Sequence, residues 1–283
     1  MKKVKILVCC HKQDVIATQE PYLPIHVGKA LSNTDLGIQS DNEGENISFK
    51  NRSYCELTGM YWAWKNLKDI DVIGLCHYRR YFDFHRQCDN VFSETFFNTR
   101  DFTSVDFSIP QDIIDSIHEG MAYVTKPKYY RHSLYDDYCN QHISDDIRKL
   151  EKYIYETQPY NIRWAWYECM HRSCHIWHYN MFIMTWSDFN AYCSWLFPIL
   201  AEMEKQIDIT YYTSVQGRIF GYMAERLMNV WLTANKFTVK ERPLIMFYDY
   251  PGTRSTSHLK YIRNSLRCKL LLRLMAGKNP IKQ

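Results

Sequence analysis

Between residues 53 and 76 the apolar positions change period, and the change predicts a helix followed by a buried strand. The strand is the short, wholly apolar run 72–76, a pattern typical of a strand that is covered on both faces. Ser53 and Glu56 have the spacing of a capping box, so we expect the helix to begin there. The helix itself is predicted from apolar side chains at helical spacing, namely Leu57, Met60, Tyr61, Trp64 and Leu67.

The same patterns recur along the rest of the chain and predict an α/β fold. Strands are predicted over 4–10, 121–125 and 181–184, and helices over 112–118, 188–206 and 219–234. Residues 35–50 are polar and indicate a loop, whereas the Tyr-, Asp- and His-rich stretch 129–160 indicates a helical insertion. Short strands that alternate with helices favour a mostly parallel, mixed sheet flanked by helices, with a helical second half. We expect one domain over 1–250 and a separate tail over 251–283.

The tail is distinguished by its charge. It carries eight basic residues and no acidic one, and removing those eight from the 35 basic residues of the chain leaves 27 against 31 acidic residues. Ile262, Leu266, Leu270 and Leu274 recur at steps of four, which is compatible with a helix. A basic helix on an anionic membrane surface is the preferred interpretation. A solvated tail and a nucleic-acid contact are the alternatives, and we expect no nucleic-acid partner.

Cationic side chains follow two of the predicted strands. His11 and Lys12 come directly after the first strand, and the cluster His77-Tyr78-Arg79-Arg80 follows the strand 72–76. Ligands of open α/β sheets bind at the carboxyl ends of the strands, and guanidinium groups pair bidentately with phosphate oxygens. A phosphate-bearing ligand is therefore expected there. The alternative is a surface strand end whose arginines stack on neighbouring rings.

These segments also carry a family resemblance. The motifs N-I-S-F-K-N-R-S-Y-C-E-L-T (46–58) and G-L-C-H-Y-R-R-Y-F (74–82) resemble a bacterial family, known as a domain of unknown function, from capsular and exopolysaccharide gene clusters. Segments 11–12, 22–28, 61–66, 178–184, 195–197 and 218–227 fit the same family. The resemblance spans roughly residues 4–232, and it implies a GT-A-like, Rossmann-related glycosyltransferase.

The resemblance implies a nucleotide-sugar donor, expected to be a uridine diphosphate sugar with galactose or galactofuranose, and a lipid-linked saccharide acceptor. His77, Arg79 and Arg80 are expected to stabilise the departing diphosphate, with His77 counted among the catalytic residues. The expected donor-binding residues are His11, Lys12, Lys50, Asn51, Tyr54, Glu56, His77, Arg79 and Arg80.

A metal ion is not the favoured expectation. GT-A transferases usually hold a divalent cation with an Asp-x-Asp at the carboxyl end of a strand, whereas Asp69-Ile70-Asp71 precedes its strand and is interpreted as a turn. Asp83 stays open as a lone ligand. The cluster His171-x-x-Cys174-His175-x-x-His178 lacks the two separated pairs that are typical of zinc sites, so zinc is a minor alternative.

Inverting transfer needs a general base for the acceptor proton. Glu225 is the first candidate, with a buried ion pair to an arginine as the alternative, and Asp137, beside Asp136, comes next. A retaining enzyme would need no such base. The expected acceptor-binding residues are His178, Asn180, Tyr222 and Arg226. For His178, a hydrogen-bonded position in the core is an equally supported alternative.

Several other classes find no support in the sequence. It lacks a G-x-S-x-G elbow, a Walker-type phosphate loop and a G-x-G-x-x-G fingerprint. A non-catalytic carbohydrate- or nucleotide-binding protein is the rival hypothesis. Ten scattered cysteines without a C-x-x-C pair indicate reduced thiols, and no signal peptide or membrane-spanning run is recognised. We therefore expect a cytoplasmic protein, peripheral at the inner face of the membrane.

Overall fold

The structure, a computed structural model, describes residues 1–85 and 94–249, together with three helical positions in the tail, Arg263, Leu266 and Leu270. Leu266 and Leu270 are both exposed. The rest of the predicted tail helix lies outside the described residues. None of the helices in the described ranges is long and apolar enough to cross a membrane.

The strands of the described ranges are β1 (Val4–Cys10), β2 (Tyr22–His26), β3 (Gln39–Ser40), β4 (Val72–His77), β5 (Arg80–Phe82), β6 (Glu94–Asn98), β7 (Met121–Thr125), β8 (Lys128–Tyr129), β9 (His175–Ile176), β10 (Phe182–Thr185), β11 (Thr238–Arg242) and β12 (Leu244–Tyr248).

The α-helices are α1 (Asn51–Tyr54), α2 (Leu57–Asn66), α3 (Gln111–Ser116), α4 (Leu134–Gln141), α5 (Ser144–Thr157), α6 (Tyr160–Met170), α7 (Trp186–Gln206) and α8 (Ile219–Ala234). Short 3-10 turns cover Lys29–Leu31, Ser48–Lys50, Thr99–Ser104 and Gln216–Arg218.

The main sheet is mixed and mostly parallel, as the sequence predicts. Its strand order is β11-β7-β10-β4-β1-β2-β3, and β10 runs antiparallel between β4 and β7. β5 pairs with both β4 and β12, and β12 also pairs with β6, so these strands extend the sheet off the main path. β8 and β9 form a separate two-stranded sheet.

Both faces of the central strands are buried, because alternate side chains of a strand point to opposite faces. In β1, Leu7 and Cys9 belong to the larger apolar cluster, whereas Ile6 and Val8 belong to the smaller one. The larger cluster contains the apolar sides of α2, α6, α7 and α8. The smaller cluster is rich in aromatic rings from β5, β12 and the segment before α3. The predicted double coverage of β4 is therefore confirmed.

The predicted capping box does not form. The chain makes a short helix, α1, and a second helix, α2, separated at Cys55, whose φ is 54°. The Ser53 hydroxyl donates to the Lys50 carbonyl at 3.2 Å instead of capping a helix. The Glu56 carboxylate accepts from the side chain of Asn180, which lies just before β10, and no side chain caps the start of α2.

Candidate active site

A cavity of about 900 Å³ opens at the edge of the sheet where β1 and β4 end. Because β10 is antiparallel to β4, the residues that lead into β10 reach the same edge. The other walls are the α1–α2 corner and the segment 209–218 between α7 and α8. This is the edge at which an α/β sheet is expected to bind its ligand.

Five of the expected donor-binding residues line this cavity. His11 follows β1, His77 ends β4, and Arg80 begins β5. Asn51 and Glu56 come from the α1–α2 corner, although the whole of α2 separates them from β4 in the sequence. The structure thus brings the cationic strand end and the N-I-S-F-K-N-R-S-Y-C-E motif to one place.

Lys12 and Arg79 are paired with acidic side chains and do not line the large cavity. The Arg79 guanidinium lies 2.8 Å from Asp14 and 2.7 Å from Asp249. The Lys12 amine is 3.5 Å from the same Asp14 carboxylate. Arg79 instead lines a smaller cavity of about 210 Å³, which shares His77 with the large one. The donor-binding roles of Lys12 and Arg79 stay predictions.

Lys50 and Tyr54 also lie outside the cavity lining. Both contact Glu204 at the end of α7, the Lys50 amine at 2.6 Å and the Tyr54 hydroxyl at 3.2 Å. Tyr54 is buried and its ring lies 4.9 Å from that of Phe220. The donor-binding roles of Lys50 and Tyr54 also stay predictions.

Of the described residues that line the cavity, Glu56 is the one with a carboxylate. Its Oε1 accepts a hydrogen bond of 2.6 Å from the side-chain amide of Asn180. Burial raises the pKa of Glu56, and the Asn180 hydrogen bond and the charges of Arg218 and Arg80 oppose this rise. A carboxyl group with a raised pKa in a cleft is a candidate for proton transfer.

A hydrogen-bond network holds the residues that lead into β10. The Nε2 of His77 lies 2.8 Å from the Tyr179 carbonyl, which only accepts, so this nitrogen carries the proton. The Tyr179 amide donates to Glu225 at 2.9 Å. Tyr179 and Asn180 have φ values of 70° and 52°, so both occupy the left-handed region that non-glycine residues rarely adopt.

His77 is neutral near pH 7. Burial and the neighbouring charge of Arg80 lower the pKa of His77 to about 3. Its contribution to the site is therefore a hydrogen bond rather than the positive charge that the sequence suggested.

The positive charge of the cavity comes from three guanidinium groups, those of Arg52, Arg80 and Arg218. The Arg80 guanidinium lies 4.4 Å from the centre of the Tyr179 ring, and Arg218 lies over the Tyr222 ring and donates to the Cys55 thiol. Within the described ranges none of the three forms an ion pair with a carboxylate. They are therefore available to an anionic ligand.

Arg52 and Arg218 are the charged residues of the cavity lining that sequence reasoning missed. Arg218 begins the block 218–227 of the family resemblance, and Arg52 lies inside the motif 46–58. Both residues therefore lie in segments that the sequence analysis had singled out. The missing information was the packing of the start of α8 against the α1–α2 corner. Gly221 allows that approach, since a Cβ there would lie 3.3 Å from the Cys55 sulfur.

The other candidates for base and acceptor contacts lie behind the cavity wall. Glu225 accepts from the Arg226 guanidinium at 3.2 Å, which is the ion pair named as the alternative. Asp137 is buried and accepts from Gln141 at 2.8 Å. His178 is also buried, with its amide donating to the Thr125 hydroxyl. Neither these three residues nor Arg226 line the large cavity, and their roles stay predictions.

Asn180 and Tyr222 are connected to the cavity through its lining residues. Asn180 contacts Glu56, as described above, and is itself buried. The Tyr222 ring lies beneath Arg218 and stacks on His142 at 4.2 Å. Both side chains therefore support cavity-lining groups from behind.

The carboxylates considered as metal ligands do not converge on the cavity. Asp71 accepts from the amide of Lys3, before β1, and so lies at the opposite edge of the sheet. Asp83 is buried and accepts from the His85 amide at 3.1 Å. Within residues 1–85 and 94–249, no group of three or more His, Cys, Asp or Glu side chains is placed to hold a metal ion.

The residues of the 171–178 cluster also have separate partners. His171 contacts Glu151 at 2.5 Å, and His175 contacts the Ser173 hydroxyl at 2.8 Å. Cys174 is disulfide-bonded, which contradicts the expectation of reduced thiols at this position. Seven other cysteines, among them Cys9, Cys10 and Cys55, are free.

Comparison with known proteins agrees with this geometry. The model of the family described as Domain of unknown function (DUF4422) matches residues 5–236. The chain belongs to this family. No curated protein matches it.

The DUF4422 chain also resembles a solved structure, the apo form of the bifunctional glycosyltransferase WbbM, with a TM-score of 0.77 and 27% sequence identity. The match covers 90% of this chain but 46% of WbbM, so the chain spans about half the length of that protein. The mostly parallel α/β architecture is therefore that of a GT-A-like glycosyltransferase neighbour, as the resemblance implied.

Proposed function

We propose that this DUF4422 protein is a glycosyltransferase that uses a nucleotide-sugar donor. The observation that carries the proposal is the cavity at the carboxyl edge of the sheet, whose described lining combines three arginines, Arg52, Arg80 and Arg218, with the carboxylate of Glu56. The likeness to WbbM, a bifunctional glycosyltransferase, supports the same class of reaction.

The diphosphate of the donor is assigned to Arg80 and Arg218. Guanidinium groups present a planar fork that matches phosphate oxygens, and they keep their charge at all relevant pH values. In transfer, negative charge develops on the departing diphosphate, and positioned donors stabilise it. Arg80 is well placed for this role because its guanidinium is held against the Tyr179 ring without a carboxylate that would neutralise it.

The finer assignments extend the same proposal. The donor is a uridine diphosphate sugar carrying galactose or galactofuranose, and the acceptor is a lipid-linked saccharide in capsule, exopolysaccharide or O-antigen synthesis. We extend the proposal to turnover without a divalent metal, which the positive charge of Arg52, Arg80 and Arg218 in the cavity supports.

A non-catalytic nucleotide- or carbohydrate-binding protein is the second candidate. The same cavity and the same arginines would serve it, so binding alone does not separate the two functions. Release of free nucleotide from a bound nucleotide sugar does, since only an enzyme breaks the glycosidic phosphate bond.

The test is a thermal-shift panel of uridine, guanosine, cytidine and thymidine diphosphates, each with manganese and with a chelator. Ligand at 100 times its dissociation constant stabilises the folded state by about 2.7 kcal/mol, which raises the melting temperature by several degrees. We expect uridine diphosphate to give this shift in both conditions. A shift that requires manganese would contradict the metal-free assignment, and no shift with any nucleotide would contradict the transferase proposal.

A further inference from the structure

We propose that Glu56 is the group that takes the acceptor proton and that Asn180 is the positioning residue that keeps one oxygen of its carboxylate free for this role. The inference rests on the proposed function, and it reassigns the base from Glu225 to Glu56.

The orientation of the Asn180 amide is fixed from the far side. Its Nδ2 lies 3.3 Å from the carbonyl of Gly221 and 2.6 Å from Oε1 of Glu56. A backbone carbonyl only accepts, so the nitrogen of the amide must point to Gly221, and its second hydrogen then points to Glu56. Oε1 of Glu56 therefore acts as an acceptor and does not carry a proton.

The backbone holds Asn180 in this place. Its φ of 52° is left-handed, and both backbone groups of the preceding residue, Tyr179, have partners: His77 at the carbonyl and Glu225 at the amide. An unusual backbone conformation that its surroundings fix so completely is characteristic of functional sites. Glu225 thus has a structural contact, which explains its buried position without a catalytic role.

The Glu56 carboxylate has two hydrogen-bond partners and keeps acceptor capacity beyond them. Glu56 lines the cavity, and within the described ranges its carboxylate accepts from the Asn180 side chain and from its own backbone amide, but from no other side chain. An acceptor hydroxyl in the cavity can therefore reach Oε2, whereas Glu225, with one oxygen on Tyr179 and the other on Arg226, lies outside the lining.

The reaction balances with these groups. The acceptor hydroxyl gives its proton to Oε2 of Glu56, and its oxygen forms a bond to the anomeric carbon of the donor. The bond from that carbon to the diphosphate oxygen breaks, and its electron pair leaves with the nucleoside diphosphate between Arg80 and Arg218. Attack from the face opposite the diphosphate inverts the configuration of the sugar.

The charge around Glu56 comes from several elements. Burial raises its pKa, and the Asn180 hydrogen bond opposes that rise. The ionisable groups that influence its titration are two cations, Arg80 at β5 and Arg218 before α8, and Glu225, Cys9 and Cys55.

The first test measures the titration of Glu56 directly, with carboxyl-13C glutamate in the full-length protein and nuclear magnetic resonance. The Glu56 signal is the one lost in Glu56→Gln. Asn180→Ala removes a hydrogen bond that favours the charged form, so we expect the Glu56 pKa to rise by about one pH unit. An unchanged Glu56 pKa in this variant would overturn the positioning role.

Asn229→Ala is the matched control. Asn229 is also a buried asparagine, and its side chain bonds to the backbone of Trp177 and Glu225 without touching Glu56. We expect its replacement to leave the titration of Glu56 in place. If the Glu56 pKa rose as much in Asn229→Ala as in Asn180→Ala, the rise would reflect a general disturbance of α8, and the inference would also be overturned.

The second test measures turnover, as uridine diphosphate released from UDP-galactose and UDP-galactofuranose. Glu56→Gln is expected to lose this release while keeping the thermal shift with uridine diphosphate. Glu225→Gln is expected to keep at least part of the release, because a glutamine oxygen can still accept from the Tyr179 amide. Loss in Glu225→Gln with activity kept in Glu56→Gln would return the base to Glu225. Failure of the proposed function can be told apart from failure of this inference. If the protein is not a transferase, the wild type will show neither a thermal shift with nucleotides nor release of uridine diphosphate. The Glu56 titration would still show whether Asn180 influences the Glu56 pKa.

Discussion

Arg79 and Arg80 are neighbours in the chain, but their guanidinium groups have opposite electrostatic surroundings. Arg79 is held between Asp14 and Asp249 at 2.8 and 2.7 Å, whereas Arg80 lies over the Tyr179 ring at 4.4 Å. Only Arg80 of the two lines the large cavity. A cation already paired with two carboxylates has less to offer a phosphate than one that is paired with a ring.

The first prediction follows from this difference. Arg80→Ala is expected to weaken uridine diphosphate binding by about 10- to 100-fold, because hydrogen bonds to a charged group contribute about 1.5–3 kcal/mol. Arg79→Ala is expected to weaken it less. Isothermal titration calorimetry measures both affinities, and an equal loss in the two variants would contradict the assignment.

Arg218 provides a second prediction. Arg218→Ala is expected to lower nucleotide affinity, with Arg218→Lys restoring part of it, because lysine keeps the charge but not the fork. Arg163 is a partly buried arginine on α6 outside the cavity and serves as the control. The same calorimetric titration applies, and an effect of Arg163→Ala as large as that of Arg218→Ala would argue against a specific contact.

The pH dependence of stability should report on His178. Burial lowers the pKa of His178 to about 3, below its ordinary value of 6.5. Between about pH 6.5 and pH 3, His178 is therefore protonated in the unfolded chain but stays neutral in the folded protein. Its contribution to the free energy of unfolding is complete above pH 6.5 and is lost as the pH falls towards 3.

Replacing this histidine tests the sign of that effect. Between pH 6 and 4 the free energy of unfolding of His178→Gln should fall less steeply than that of the wild type, by up to about 1.36 kcal/mol per pH unit. Urea denaturation at several pH values measures the two slopes. Equal slopes would show that His178 is accessible to protons in the folded state.

Gly74 allows the close packing of β4. A Cβ at this position would lie 2.7 Å from the Ile6 side chain and 2.9 Å from the Phe182 carbonyl, which cannot move without shifting β10. Gly74→Ala is expected to destabilise the protein by about 1–3 kcal/mol, the range for overpacked cores. Gly217→Ala is the control, since nothing lies within 4 Å of its added Cβ. Urea denaturation compares the two, and equal midpoints would contradict the packing argument.

The basic tail provides a prediction about membranes. The intact protein is expected to sediment with anionic liposomes, whereas a version that ends at Pro251 is expected to stay in the supernatant, because each Lys or Arg near an anionic surface contributes about 1 kcal/mol. Neutral liposomes are the control. Equal sedimentation of the two proteins with anionic liposomes would remove the tail from the membrane proposal.

The sequence predicts the fold best where a segment is buried on both faces. Short, mostly apolar runs such as β1 and β4 show no competing period, and their predicted bounds agree with the structure within a residue. β11 was not predicted, since its sequence T-V-K-E-R is polar and mostly solvent-facing. β2 was missed because Pro24 lies inside it, and proline is unusual within a sheet.

The candidate site was predictable only in part. The motifs bring His11, His77 and Arg80 into view because they follow strands, and these three residues do line the cavity. The pairing of charges was not visible, because sequence neighbours such as Arg79 and Arg80 can meet different partners in space. The contact between Glu56 and Asn180, 124 residues apart, depends on an antiparallel strand whose direction the sequence pattern does not encode.

The late position of α8 in the chain has a consequence for synthesis on the ribosome. The cavity takes Glu56 from the first quarter of the polypeptide, but Arg218 and the Gly221 carbonyl that orients Asn180 come much later. A nascent chain that has emerged only as far as β10 already contains the strands β1 and β4 yet lacks one wall of the pocket. The cavity can therefore be complete only after α8 has been synthesised, later than the strands that support it.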